Sequence, residues 1–429
     1  MRVLMFGWEF PPHITGGLGT ASYGLTKGMA SCGGLDVIFV VPKAWGDEDQ
    51  SIVRLIGANR IPVAFKTVYY KGFKTPIEKI EVESMIVPYI DPEDFWRISR
   101  SEISSYNLMV QANSQGMVDF SGRYDHNLMD EIQKYAIVAS VIASENEFDI
   151  IHAHDWLAYP AGIAAKEASG KPLVIHVHAT DFDRSGGNVN PQVYNIEKAG
   201  MDAADKIITV SNLTRDIVIH KYNIHPDKVE TVYNAVEPVK LEGESLVCKG
   251  FDEKIVTFLG RITMQKGPEY FIEAANKVLK VMNNVRFVMA GSGDMMEKMI
   301  RRAAALKITD RFHFTGFLKG CDVFTMLEMS DVYIMPSVSE PFGISPLEAM
   351  QSNVPVIISK QSGVAEILTH AVKTDFWDID AMADAIYGIL NYPNFADMIV
   401  KKGKEEVIGL KWDNSARHVK DIYERILGY

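Results

Sequence analysis

The chain has 429 residues, of which 47% are hydrophobic, and its formal net charge is −11. This length exceeds that of one ordinary domain, so we expect two domains, each with its own core. The acidic balance argues against nucleic acid or an anionic lipid surface as the main partner, so any phosphate group must be held by a local cluster of basic residues.

The N-terminal segment has the pattern of a doubly wound α/β domain. Residues 3–6 form an apolar run typical of a buried strand, Gly16 and Gly17 stand in a glycine-rich turn, and a helical pattern covers residues 20–32. Strand, turn and helix in this order begin such domains. The glycines do not form G-x-G-x-x-G, so the dinucleotide fingerprint is absent. They make either a plain tight turn or a close backbone approach to a diphosphate or sugar.

The pattern loosens between residues 44 and 122. Within this stretch, residues 65–79 alternate basic and aromatic side chains. We interpret this segment as a solvated excursion from the sheet, with a membrane surface or a polysaccharide as the alternative contact. An amphipathic helix is predicted for residues 128–145.

Two further strands end in histidines. Residues 149–154 carry His152 and His154, and residues 172–178 carry His176 and His178. Ligands of open α/β sheets gather at the carboxyl ends of strands, so these side chains mark a candidate site. His152 and His154 have a spacing that could bind metal, but no third ligand at metal spacing is evident, so no metal site is predicted.

A second alternating series follows a polar, glycine-rich linker at residues 238–251. Its first strand, residues 254–259, leads into a loop that carries Arg261 and Lys266. Two cationic side chains in such a loop can clamp a diphosphate, although a solvated turn is the simpler alternative.

The segment after the strand at residues 332–335 places two carboxylates beside a helix start. Gly343 allows a tight path, and Ser345 is predicted as the N-cap, with Glu340 and Glu348 on either side. Amides at a helix start attract anions, and carboxylates suit the hydroxyls of a sugar or ribose. Alternatively, Ser345 and Glu348 form a capping box that only fixes the helix start.

Glu340 and Glu348, with seven residues between them, resemble the E-x7-E motif of retaining glycosyltransferases of families 4 and 5, which include the glycogen and starch synthases. The resemblance covers essentially the whole chain. The His-Ala-His-Asp-Trp segment at 152–156, the Asn-Ala-Val segment at 234–236 and the Gly-Arg…Gln-Lys-Gly loop at 260–267 also resemble those families, in the same order along the chain. Ile14 stands where the synthases usually carry Lys.

The resemblance implies the GT-B fold, in which two doubly wound, Rossmann-like parallel-sheet domains face a cleft. It implies an acceptor domain over residues 1–240, a nucleotide-sugar donor domain over 250–411, and a C-terminal helix at 412–429 that packs back toward the N-terminal domain.

The implied reaction transfers glucose from ADP- or UDP-glucose to the non-reducing end of an α-1,4-glucan. The implied reaction requires no metal or other cofactor if cationic side chains stabilise the leaving group. The three cysteines, Cys32, Cys248 and Cys321, lie far apart in the sequence, which suits a reducing cytoplasm. The acidic charge balance predicts no nucleic acid partner, and an oligomer is possible. No apolar run approaches the length of a membrane span. The residues expected to serve catalysis are His178, Arg261, Lys266 and Glu340, and those expected to bind substrate are Gly16, Gly17, Asp155, Asn234, Gly343, Ile344, Ser345, Leu347 and Glu348.

Other functions remain open at this stage. A family 4 enzyme could use a small or lipid-linked acceptor, and a non-catalytic glucan-binding protein could keep the same fold. The Asp-x-Asp pair Asp181 and Asp183 has the form that binds metal-bound sugar nucleotides in a different glycosyltransferase fold; here we expect it to lie in a loop without that role. The second pair, Asp378 and Asp380, is expected to cap a helix.

Overall fold

The computed structural model describes residues 1–63, 117–124, 127–238 and 252–429. The predicted basic and aromatic segment at 65–79 lies outside these residues. In the N-terminal half the strands are β1 (Arg2–Phe6), β2 (Asp36–Val41), β3 (Arg54–Gly57), β4 (Ile150–His154), β5 (Leu173–Val177), β6 (Lys206–Thr209) and β7 (Val229–Thr231). They pair in parallel in the order β3-β2-β1-β4-β5-β6-β7.

Six helices accompany this sheet in the described residues: α1 (Gly17–Cys32), α2 (Leu128–Glu145), α3 (Asp155–Ser169), α4 (Asp181–Ser185), α5 (Pro191–Ala203) and α6 (Asn212–Lys221). Every residue of β4 and of β5 is buried. A parallel sheet covered on both faces requires this, which is why its strands appear in the sequence as continuous apolar runs.

The second sheet repeats the design. Its strands are β8 (Lys254–Leu259), β9 (Val285–Ala290), β10 (Phe312–Gly316), β11 (Val332–Met335), β12 (Val356–Ser359) and β13 (Val372–Thr374), in the parallel order β10-β9-β8-β11-β12-β13. Its helices are α7 (Pro268–Val278), α8 (Met296–Ala305), α9 (Cys321–Glu328), α10 (Ser345–Gln351), α11 (Val364–Ile367), α12 (Ile379–Asn391) and α13 (Pro393–Val407). Two doubly wound parallel sheets confirm the predicted fold class.

The last helix, α14 (Trp412–Leu427), returns to the first sheet. Its Trp412 packs on α1 at two glycines: a Cβ at Gly24 would lie 2.3 Å from the Trp412 ring, and one at Gly28 would lie 2.5 Å from the Trp412 carbonyl oxygen. The glycines of α1 thus make room for the C-terminal helix.

The two halves meet through specific bonds at the carboxyl ends of their strands. The Ser339 hydroxyl donates to Asp183 across the boundary at 2.5 Å. The Glu366 carboxylate accepts from the backbone N–H groups of Asn212 and Leu213, at 2.9 and 2.7 Å. β7 ends at Thr231 and β8 begins at Lys254, so the sheets divide at the predicted linker, while the exact domain limits stay predictions.

Candidate active site

The predicted site residues follow strands at one edge of each sheet. Gly16 follows β1, Asp155 follows β4 and His178 follows β5, whereas Arg261 follows β8 and Glu340 follows β11. Because all strands are parallel, their carboxyl ends share an edge. The bonds between the two halves bring these two edges together.

Lys266 and Glu340 form an ion pair within the site. The Lys266 ammonium lies 2.5 Å from a Glu340 carboxylate oxygen, and the Ser337 hydroxyl donates to the same oxygen at 3.1 Å. Glu340 is only 6% exposed and Lys266 is half-buried, so the loop that carries Lys266 is not the freely solvated turn considered as an alternative. The sequence predicts separate roles for these residues, whereas the geometry makes them one charge-paired unit.

The Lys266 loop is held against the Glu340 loop by its neighbours. Gly267 has φ of 66°, and a Cβ there would lie 2.1 Å from the carbonyl oxygen of Pro336, so only glycine fits without displacement. The Gln265 side chain donates to the Ser339 carbonyl oxygen at 3.1 Å, and the Val338 N–H donates to the Gln265 carbonyl oxygen at 2.9 Å. These contacts fix the position of Lys266.

The start of α10 differs from the prediction. The helix begins at Ser345, the cap position is Ile344, and no side chain caps it. Ser345 instead exchanges a hydrogen bond of 2.8 Å with the Tyr333 hydroxyl. The N-cap assignment of Ser345 and the capping-box alternative for Glu348 are therefore wrong, because the Ser345 hydroxyl bonds to the buried Tyr333 hydroxyl on β11 and not to the helix backbone.

Glu348 does not cap the helix, and its carboxyl group lies in a desolvated environment. Part of its surface stays exposed, although protein atoms crowd its carboxyl group. This desolvation raises the pKa of Glu348 to about 7. A carboxyl group with that pKa gains from hydrogen-bond donors supplied by a ligand, because donors favour its ionised form.

His178 and Asp155 form the opposite side of the site. The Asp155 side chain accepts from the backbone N–H groups of His178 and Ala179, at 2.9 and 3.3 Å, and pairs with Arg184 at 3.2 Å. Asp155 has φ of 60° and is 5% exposed, so both of its oxygens serve the protein. His178 bonds to His154 through Nε2 at 2.9 Å, and burial lowers the pKa of His178 to about 4. The ring is therefore neutral at pH 7.

Arg184 is a residue that the sequence analysis missed. It is buried, pairs with Asp155 and Glu197, and donates to the Ala179 carbonyl oxygen at 3.0 Å. It thereby ties the His178 segment to α5. The sequence around Arg184, three residues after Asp181, does not predict these ion pairs, because both partners lie on other helices.

The Asp-x-Asp pairs have structural roles in the described residues. Asp183 belongs to the short helix α4, not to a loop, and it forms a capping box with Thr180. Its other carboxylate oxygen accepts from Ser339. Asp378 accepts from the N–H of Ala381 at 2.9 Å, which confirms the predicted helix cap.

The remaining predicted substrate-binding residues differ in accessibility. Gly16 and Gly17 are exposed at the start of α1, with no atom within 4 Å of a Cβ at either position, while Asn234 is 8% exposed. Gly343 has φ of 99° beside a partly buried Ile344. Leu347 is fully buried in the core, and its N–H donates to the Ile344 carbonyl oxygen, so its contact with substrate stays a prediction that this geometry does not favour.

A groove of about 1030 Å³ lies at the opposite edge of the first sheet. Its lining includes Arg2, Asp36, Asp149 and Lys171 near the amino ends of strands. Arg2 is already paired with Asp36 there. The groove contains none of the predicted site residues, and we do not assign it to the active site.

Comparisons with known proteins find glycosyltransferases over both halves of the chain. The family model described as Glycosyltransferase Family 4 matches residues 126–240, and the model described as Glycosyl transferases group 1 matches residues 249–406. An uncharacterized glycosyltransferase of Methanocaldococcus jannaschii is 28% identical, with 99% of this chain and 98% of the relative covered. A glycogen synthase of Mycobacterium tuberculosis is 22% identical over 99% of this chain and 94% of its own.

Among solved structures, the catalytic domain of starch synthase IV from Arabidopsis thaliana, bound to ADP and acarbose, superposes with a TM-score of 0.67. It is 17% identical and the match covers 100% of this chain and 99% of that one, which shows a shared fold. In the part of the chain that the structure describes, no helix is long and apolar enough to cross a membrane.

Proposed function

Because this chain belongs to the glycosyltransferases of the GT-B fold, we propose that it moves glucose from a nucleoside diphosphate to the non-reducing end of an α-1,4-glucan, with retention at the anomeric carbon. The observation that carries this proposal is the hydrogen bond from Ser339 to Asp183. It joins the loop of Glu340 to the segment of His178, so that donor and acceptor residues face one space.

The leaving diphosphate accumulates negative charge as its bond to the sugar breaks. Arg261 and Lys266 lie in the loop after β8 and stabilise that charge. The backbone N–H groups of Gly343, Ile344 and Ser345 assist, because they precede the first N–H groups that are bonded within α10 and a helix start attracts anions. Positioned cations of this kind take the place of Mg²⁺, so the transfer itself needs no metal.

Each carboxylate takes one part of the donor. Glu348 accepts hydrogen bonds from the ribose hydroxyls. Glu340, charge-paired with Lys266, lies beside the sugar and counters positive charge that develops at the anomeric carbon. Asp155 holds the His178 segment through its backbone, and this segment places the transferred sugar.

The match to a glycogen synthase over nearly the whole chain supports a glucan acceptor. The match of residues 126–240 to the family 4 model favours a second candidate, a family 4 hexosyltransferase with a small or lipid-linked acceptor. Both candidates use the same donor machinery, and they differ only in what the N-terminal half binds.

A panel of donors and acceptors tests the proposal. ADP-glucose and UDP-glucose are each offered with glycogen, maltooligosaccharides, and vesicles that carry a lipid-linked sugar, and the anomeric configuration of the product is read by NMR. Elongation of the glucan by α-1,4 linkage is expected. Transfer only in the vesicle arm would replace the glucan by a lipid-linked acceptor, and donor binding without hydrolysis or transfer would indicate a binding protein.

The same panel, run in EDTA, tests whether the transfer needs metal. Activity is expected to persist without added Mg²⁺ or Mn²⁺. An assay that recovers only when one of these ions is supplied would place a metal at the diphosphate and contradict this part of the proposal.

A further inference from the structure

Four histidines form a patch on one face of the first sheet. His152 and His154 occupy alternate positions on β4, and His176 and His178 bracket the end of β5 in the same way. His154 and His176 are paired in the parallel register. Alternate residues of a strand share a face, so all four rings point to the same side of the sheet.

Three of these rings are enclosed. His152, His154 and His176 are 0%, 0% and 2% exposed. The Nδ1 atom of His152 bonds to the Tyr423 hydroxyl, and Nδ1 of His154 lies 2.9 Å from Nε2 of His178. Within the described residues, Nε2 of His152, Nε2 of His154 and both ring nitrogens of His176 are buried without a hydrogen-bond partner. Buried polar atoms without partners are rare, because burying them costs free energy of folding. We therefore expect a ligand to bind these nitrogens.

The spacing of the nitrogens indicates which kind of ligand they bind. One nitrogen from each of His152, His154 and His176 lies within 4.8 Å of the other two. We propose that these three histidines bind one divalent transition-metal ion, with Zn²⁺ the best match to an all-imidazole set. Tetrahedral bonds of about 2.0–2.1 Å require nitrogens about 3.4 Å apart, leaving a fourth position for a water molecule.

Binding requires the rings to turn. The ring planes of the three histidines are now inclined to one another by 21°, 24° and 36°, close to a stack. A metal lies in the plane of each imidazole that binds it, so the ion rotates the rings out of the stack as it draws their nitrogens together. We expect this movement to involve the side chains only, because β4 and β5 are already paired in register.

The hydrogen bonds around the patch prepare two of the ligands. If His152 donates from Nδ1 to the Tyr423 oxygen, and His154 donates from Nδ1 to His178, each ring leaves a lone pair on its unpartnered Nε2. A bond from the second ring nitrogen to a neighbouring group is the usual way in which proteins orient histidine ligands. Tyr423 and His178 fill that place here.

The position of the ion gives it a structural role. It links β4 to β5 directly beneath His178 and reaches α14 through Tyr423. The inference does not depend on the identity of the donor or acceptor sugar, and the ion lies on the sheet, not at the diphosphate.

The first test measures metal content. The tag-free full chain is purified from zinc-supplemented cells and analysed by elemental mass spectrometry, and about one Zn²⁺ per chain is expected. His176→Thr is expected to hold less than about a tenth of that amount. His13→Ala is the matched control, because the only other ligand cluster found in the described residues is the group of His13, Asp47 and Glu48, which includes exposed side chains. Equal loss in both variants, or a wild-type chain without metal, would overturn the proposal.

The second test reads the site itself and does not depend on activity. Co²⁺ in place of Zn²⁺ is expected to give the visible absorption of a tetrahedral nitrogen and oxygen site, and removal of the metal is expected to lower the melting temperature by several degrees. His152→Leu, checked by circular dichroism for a native fold, provides a second variant should His176→Thr fold poorly. Apoprotein that gains neither absorption nor stability from metal would mean that water occupies the pocket.

Discussion

At the scale of single residues, Lys266 and Glu340 form an ion pair, and the position of each charged group depends on the other. Glu340 is nearly fully buried, and Lys266 neutralises it at 2.5 Å. In the proposed reaction the departing diphosphate would compete with Glu340 for the ammonium group. The ion pair fixes the position from which Lys266 would reach the leaving group.

Replacement of Lys266 by alanine is expected to lower kcat on the order of 10²–10³-fold, since one preorganised charge-stabilising group is lost. It is also expected to lower the melting temperature, because Glu340 is left buried without its partner. Lys277→Ala, which breaks a surface pair with Asp380, serves as the control and is expected to change neither quantity appreciably.

A double variant separates the two effects. Adding Glu340→Gln to Lys266→Ala removes the unpaired charge, so the melting temperature is expected to recover while turnover stays low. Recovery of turnover together with stability would contradict the catalytic roles of both Lys266 and Glu340.

Glu348 predicts a pH dependence of donor affinity. Its pKa is raised to about 7, so below that pH the carboxyl group is mostly protonated and accepts the ribose hydroxyls poorly. The apparent Kd of the donor diphosphate is expected to rise about tenfold per pH unit below 7 and to level off above it. For folding the sign is opposite: the raised pKa means that stability falls as pH rises from the unfolded value toward 7.

Glu348→Gln tests this assignment by calorimetric titration with nucleoside diphosphate. The variant is expected to bind weakly at all pH values and to lose the pH dependence between 5 and 8. A variant that keeps the wild-type pH profile would show that another group titrates.

At the scale of elements, the turn Met264–Lys266 depends on the glycine that follows it. Gly267 closes the turn with positive φ and begins the approach to α7. Its contact with Pro336 presses the loop after β8 against the loop after β11. The placement of Lys266 is therefore a property of this turn and not of the lysine alone.

Gly267→Ala is expected to destabilise the C-terminal half by about 1–3 kcal/mol, because the new Cβ needs strained backbone and meets a carbonyl oxygen. Activity is expected to fall with it, since Lys266 moves. Gly388→Ala in α12 is the control: no atom lies within 4 Å of its Cβ, so helix propensity predicts a gain of about 0.5–1 kcal/mol. Chemical denaturation measures both, and a Gly267→Ala variant as stable as wild type would contradict the role of the turn.

At the scale of the whole molecule, the two halves are joined by bonds that cross the boundary. The Glu366 carboxylate accepts from two backbone N–H groups at the start of α6 and from the Tyr233 hydroxyl, all in the N-terminal half. A carboxylate at a helix start also complements the helix dipole. Glu366 thus holds the C-terminal half against the N-terminal half.

Glu366→Ala is expected to open the cleft, seen as a larger radius of gyration by X-ray scattering and a higher KM for the donor. Glu406→Ala is the matched control, because Glu406 also accepts from two backbone N–H groups, those of Thr369 and His370, within one half. Each variant is expected to lose about 1–3 kcal/mol of stability, but only Glu366→Ala is expected to change the radius. Equal radii of gyration in the two variants would mean that Glu366 does not hold the two halves together.

The sequence by itself determined the alternation of strands and helices, because apolar runs and capping residues act locally. Strands β8 and β11 and helix α2 have the predicted limits, and the Asp378 cap was found from spacing alone. The motif residues Arg261, Lys266 and Glu340 could also be named, since glycines and prolines mark the loops that carry them.

Only the tertiary structure decided which of these residues share contacts. The Ser345 hydroxyl bonds to Tyr333 and does not cap the helix, and the Leu347 side chain lies in the core. Packing against other elements decides both positions, because it adjusts where a helix starts. Arg184 found its partners on α3 and α5, and His176 joined His152 and His154 through the parallel register of β4 and β5. Register and domain contact join positions far apart in sequence, and no local pattern specifies them.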